Sequence, residues 1–166
     1  MNGRNYPTDV SIVGDARVTL EKMNELNIPV PKERVEWLKQ VKAICTSYKI
    51  DFKEVYESDA YPIRPERIVN ELSNGMPKNA VIVVDTGHSG MWMGGMFEKR
   101  HEGQSYIRSA GHLGWAFPAA LGAKCGAPHR PVVCFMGDLG FWYHMAEVET
   151  AVRAGINTIT IINNNN

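Results

Sequence analysis

The sequence predicts an α/β protein built on a doubly wound parallel sheet with helices on both faces. Three observations predict it. The runs AVIVVD (80–85), PVVCFM (131–136) and INTITII (156–162) are apolar without strict alternation, the pattern of strands buried on both faces of a parallel sheet. Helical stretches fall between them, over Gly90–Phe97, Leu113–Cys125 and Trp142–Ala154. Alternating β and α elements place helices against a central sheet. The bulk composition agrees: 166 residues, 44% hydrophobic and 22% charged, are those of an ordinary folded domain.

The elements before the sheet are richer in charge. Val10–Val13 predicts a short strand, followed by a Gly14-Asp15 turn and a short helix. Pro31 opens a longer helix, in which Trp37, Val41, Ile44 and Tyr48 recur at helical spacing. YPIRPERIVNEL (61–72) is a proline-punctuated loop feeding another helix, and SYIRSA (105–110) is a further short strand.

Several classes are excluded. Lys+Arg and Asp+Glu balance at 18 each, so no basic surface argues for nucleic acid or an anionic membrane. No apolar run approaches the roughly 20 residues that span a bilayer, and MNGRNYPTDV has no signal pattern. The three cysteines, Cys45, Cys125 and Cys134, form no CxxC pair. That predicts reduced, mostly buried thiols in a cytoplasmic protein rather than disulfides or a zinc site.

Three turns share one form: GHSG (87–90), GHLG (111–114) and GDLG (137–140). Each follows a strand and precedes a helix. Glycines let backbone approach a ligand, and a helix N-terminus offers free N–H groups to an anion. At one sheet edge, three such turns make a phosphate-sized pocket, although each alone is an ordinary strand-to-helix turn. The βαβ unit from 131 to 162 brings Asp138 and the closing asparagines to one edge. A carboxylate and an amide oxygen beside a phosphate suit magnesium or calcium. Alternatively, Asp138 caps its helix and the asparagines fray.

Four blocks together resemble the thiamine diphosphate-dependent enzymes. MGDLGF (136–141) followed by INNNN (162–166) is similar to the family's Gly-Asp-Gly … Asn-Asn motif. GHLGWAFPAALGAKCG (111–126), VVDTGHSGMW (83–92) and FWYHMAEVETAVRAGI (141–156) resemble its other blocks, in the right order. The subgroup resembled is acetolactate synthase, a large catalytic subunit, with relatives such as pyruvate oxidase and glyoxylate carboligase. YPTDVSIVGDARVTLEKM (6–23) resembles the tail of their central domain.

The resemblance implies a partial chain: 1–30 as a central-domain tail, 31–78 as a helical linker, and 79–166 as a thiamine diphosphate-binding fold incomplete at its C-terminus. It implies that Asp138 and Asn165 ligate magnesium. Gly137, Leu139 and Gly140 would contact the diphosphate, with His88 and Ser89 touching it from the other side. Gly111 and Leu113 would hold the aminopyrimidine, Leu113 as the wedge that bends the cofactor. The reaction implied is decarboxylation and carboligation of a 2-keto acid, the thiazolium ring serving as electron sink. The expected assembly is a homodimer or homotetramer, with FAD possible in the full-length enzyme.

Two departures stand out. Position 139 is leucine where the family has glycine, and a leucine is strained there if the site needs positive φ. The family's activating glutamate belongs to a domain absent here, so no catalytic residue is expected in this chain. Glu147 and Glu149 are not candidates. The chain alone is expected to lack activity and to bind thiamine diphosphate weakly or not at all. The competing readings are one subunit of a split decarboxylase, or a decayed binding module supported only by Leu139.

Overall fold

The computed structural model describes residues 3–165 and forms two compact units, one ending at Lys49 and the other beginning at Ile50. In the first, α1 (Ala16–Glu25) starts where the Asp15 carboxylate accepts the Val18 amide at 3.0 Å, a side-chain N-cap. α2 (Lys32–Asp51) follows Pro31, whose carbonyl accepts the Arg34 and Val35 amides. It carries Trp37, Val41, Ile44 and Tyr48 as expected, but none of its residues is buried. The strand expected at Val10–Val13 does not form. That segment is irregular and exposed, and among the described residues of this unit no second strand offers a ladder. A single strand has no stability of its own.

The second unit holds α3 (Lys53–Tyr56), α4 (Pro65–Gly75), β1 (Val81–Val84), α5 (His88–Met96), β2 (Ser105–Arg108), α6 (Ala116–Gly126), β3 (Val132–Gly137), α7 (Asp138–His144), α8 (Glu147–Arg153) and β4 (Ile159–Asn163). The strands form one parallel sheet in the order β2-β1-β3-β4. The chain steps from β1 to β2 in one direction, then back past β1 to β3 in the other. Right-handed crossovers taken in opposite directions put their helices on opposite faces. α4 and α5 accordingly pack on Ile82, Val84, Val133 and Phe135. α6, with Phe141 and Ala151, covers Val81, Val83, Cys134 and Met136 on the other face.

The predicted helices need two corrections. α6 begins at Ala116 rather than Leu113, because Gly114 has φ +85, which no right-handed helix contains. The single helix expected over Trp142–Ala154 is two, α7 starting directly after β3. At their junction Val148 and Glu149 donate to the carbonyls of Met145 and Ala146, three residues back, which tightens the chain into a 3₁₀-like turn. The thiols are also not mostly buried. Cys134 is, but Cys45 and Cys125 are exposed, one on a helix that buries nothing and the other in the last turn of α6.

The amino edge of the sheet is fixed by one cation. The Arg130 guanidinium donates to the carbonyls of Asn79 (2.7 Å), Ala80 (3.1 Å) and Gly103 (2.8 Å) and to Ser105 Oγ (2.9 Å). The opposite, carboxyl edge is left to the turns.

Candidate cofactor site at the carboxyl edge of the sheet

β1 and β3 are neighbours whose following helices leave to opposite faces. A crevice opens between the carboxyl ends of such strands. There a cleft of about 200 Å³ is lined by Thr86 to Ser89, Trp92, Leu113, Gly137 to Gly140, Asn163 and Asn165. A larger hollow of about 580 Å³ beside α4 shares no residue with it and is lined mainly by apolar groups such as Ile63, Ile68 and Leu72.

The turn after β1 supplies one wall. Gly87, at φ 80 and ψ −155, precedes α5 without a side-chain cap, in a conformation restricted to glycine. The first amides of α5 are thus left without a side-chain acceptor. His88 is exposed and stacks on Trp92, ring centroids 5.7 Å apart. Ser89 is buried at 3% exposure. Leu113 closes the cleft from the turn after β2, its Cδ1 3.7 Å from where a β-carbon on Gly87 would stand.

The turn after β3 supplies the facing wall. Gly137 precedes α7, again with no side-chain cap. Asp138 is the first helical residue, half-buried, and its carboxylate caps nothing, so the capping alternative is not what forms. Leu139 is 58% exposed. Among the described residues only Asn27 is a non-glycine with positive φ, so Leu139 carries no left-handed strain. Gly140 is buried. Asn163 pairs in register with Gly137, and Asn165 reaches the cleft lining. Gly111, at φ +94 with open space around it, is the one predicted site residue outside the lining. Glu147 and Glu149 lie on α8, away from the lining, Glu149 paired with Arg153 at 2.9 Å.

Among the described residues no group of three or more His, Cys, Asp or Glu is poised to hold a metal. Asp138 and Asn165 bring one carboxylate and one amide to the cleft. A hard cation there would complete its shell with water and phosphate oxygens.

One residue was missed from the sequence. Asp85, at the end of β1, is fully buried. Its Oδ1 and Oδ2 accept the Gly114 amide at 3.1 and 2.8 Å, and Oδ1 accepts the Ala116 amide at 3.4 Å. A β-carbon on Gly140 would collide with the same carboxylate. The only signal in the sequence is an acid closing a run that is otherwise wholly apolar. Beneath it, burial, and secondarily the Asp85 charge, push the Cys134 thiol up to about 12. Cys134 is therefore a neutral thiol and no nucleophile.

Residues 85–166 match the family model of the thiamine pyrophosphate enzyme, C-terminal TPP binding domain. The chain is 33% identical over 180 residues to a probable acetolactate synthase large subunit of Methanococcus aeolicus, covering 98% of this chain and 29% of that protein. It is 30% identical over 166 residues to the acetolactate synthase large subunit of Lactococcus lactis, covering 98% and 28%. To the mitochondrial acetolactate synthase catalytic subunit of Saccharomyces cerevisiae it is 30% identical over 163 residues, covering 95% and 23%. The chain spans less than a third of the length of these relatives. No helix among the described residues is long and apolar enough to cross a membrane.

Proposed function

From one premise, that the chain belongs through residues 85–166 to the thiamine pyrophosphate enzyme family, we propose that it is the cofactor-binding portion of a thiamine diphosphate- and magnesium-dependent enzyme. The reaction is decarboxylation and carboligation of 2-keto acids, of the acetolactate synthase kind. The carrying observation is convergence: the turns after β1 and β3, Leu113 from the turn after β2, and Asn163 and Asn165 at and just past the end of β4 line one cleft at the switch point of the sheet.

The donors present fit such a ligand. Two helix N-termini, those of α5 and α7, reach the cleft behind glycines and without side-chain caps, which suits a diphosphate. The backbone of Gly137, Leu139 and Gly140 would hold it on one side, with His88 and Ser89 on the other. Asp138 and Asn165 would hold magnesium. Gly111 and Leu113 would take the aminopyrimidine, and the side chains of Leu113 and Trp92 would keep water from the rings. When bound, thiamine diphosphate supplies a thiazolium electron sink for cleaving the bond to a carboxylate. The activating glutamate and most of the substrate pocket would come from outside the span that this chain shares with its relatives, within a homodimer or homotetramer.

The test is a titration of ¹⁵N-labelled protein with thiamine diphosphate, with and without magnesium, followed by amide shifts. The expected result is magnesium-dependent movement confined to residues 87–89, 111, 113, 137–140 and 165. Binding should saturate only at about millimolar ligand, on the order of 4 kcal/mol, because one wall of the site would come from outside the span shared with the relatives. Shifts absent at that concentration, or centred elsewhere, overturn the reading.

A further inference from the structure

We propose that Asp85 is a positioning residue: from outside the cleft it fixes where Leu113 stands within it. The proposal rests on the thiamine diphosphate reading of the cleft, in which Leu113 meets the bend of the cofactor.

Asp85 is not among the residues that line the cleft. It works through backbone. Leu113 is followed directly by Gly114, whose amide donates to both Asp85 oxygens at 3.1 and 2.8 Å, and Ala116 adds a bond at 3.4 Å. Among the described residues the turn's other hydrogen bonds are local: Trp115 N–H to the His112 carbonyl at 3.4 Å and Ser109 Oγ to the same carbonyl at 3.3 Å. The long-range tie of the turn to the sheet is therefore the carboxylate.

Its chemistry suits that task. Amide bonds to a carboxylate are stronger than neutral ones, and a negative charge at the start of the 11-residue α6 gains from the helix dipole. The third contact sets the turn against the opposite wall. Gly140 approaches the carboxylate so closely that any side chain there would displace it. One buried acid thus keys the turns after β1, β2 and β3 to one another, and Leu113 inherits its position from all three.

The experiment uses the same labelled chain and its Asp85→Asn variant, which keeps the shape and removes the charge. Amide hydrogen exchange at Gly114 and Ala116 should quicken by about tenfold or more, as expected for losing bonds to a charged acceptor. With thiamine diphosphate and magnesium added, magnetisation transfer from the Leu113 methyls to the ligand rings should fall severalfold. The shifts at Gly137 to Gly140, at the diphosphate end, should persist.

A purely structural role would weaken both ends in parallel, and that outcome overturns the proposal. So does unchanged protection at Gly114, or an unchanged Leu113 contact. Should Asp85→Asn fail to fold, Asp85→Glu carries the test. Its carboxylate survives one methylene out of place, so the Leu113 contact should weaken while the diphosphate-end shifts remain; an unchanged contact refutes the idea. If the wild-type chain shows no diphosphate-end shifts at all, the cofactor reading fails instead, and the exchange data on Gly114 still report separately on Asp85.

Discussion

Gly137 and Asn163 are register partners across β3 and β4. Asp138 therefore leaves the sheet one residue beyond the rung that Asn163 occupies, and Asn165 follows into the same cleft. Strand register, rather than closeness in sequence, brings the two candidate metal ligands together. Manganese, added as a paramagnetic stand-in for magnesium in the presence of thiamine diphosphate, should broaden the amides of Asp138 and Asn165 first. Asp138→Ala should abolish that selective broadening. Equal broadening in both proteins would place the cation elsewhere.

Leu139 makes a second prediction. Its backbone lies in α7 without positive φ, so glycine relieves no strain there. Glycine within a helix costs roughly 0.5–1 kcal/mol relative to alanine. Leu139→Gly should lower the urea midpoint slightly and leave thiamine diphosphate affinity within about twofold, less than 0.5 kcal/mol. A large gain in affinity would show that the leucine obstructs the site.

Gly114 is the position where a methyl group should do most harm. Its φ is +85, and a β-carbon would stand 2.7 Å from the Gly140 carbonyl, 2.8 Å from His144 Nδ1 and 2.8 Å from Tyr143 Cβ. Two of those neighbours are backbone or the root of a side chain and cannot swing away. Left-handed strain and overpacking each cost of order 1–3 kcal/mol. Gly114→Ala should destabilise by at least about 2 kcal/mol in urea unfolding. Gly122→Ala, in open space on α6, serves as the control and should be neutral or stabilising.

The sheet and the cleft were legible for the same reason. Uninterrupted apolar runs can be satisfied only between two helical layers, and strand-to-helix turns in a parallel sheet must gather at one edge. Hence 80–85 and 131–136 became the buried strands β1 and β3, whereas 156–162, interrupted by Asn157, Thr158 and Thr160, gave the edge strand β4 with Ile159 and Ile162 exposed rather than a strand covered on both faces; eight of the nine expected site residues line the cleft while Gly111 does not. What stayed hidden depends on partners far along the chain. Asp85 is matched by backbone amides 29 and 31 residues away, which have no residue type to betray them. The strand expected at Val10–Val13 had the right side chains and lacked a neighbour.

Cys134 gives the protein a stability signature at alkaline pH. Burial first, and the Asp85 charge second, raise its thiol from 9.0 to about 12 in the folded state. Below the unfolded value both states keep the proton, and the group adds no pH dependence. Above it the unfolded chain releases the proton while the folded protein holds it. Stability is thus fully present below pH 9 and falls as pH rises toward 12, by about 1.4 kcal/mol per unit. Urea unfolding of wild type and Cys134→Ala between pH 9 and pH 10.5 isolates this slope, since the cavity left by the substitution costs the same at each pH. Wild type should lose about 1.5 kcal/mol more than the variant across that interval. In the native state a thiol reagent should modify Cys45 and Cys125 promptly, because both are exposed, and reach Cys134 only on unfolding. Parallel pH slopes, or three thiols reacting together in the folded protein, would mean that the site beneath Asp85 is open to water.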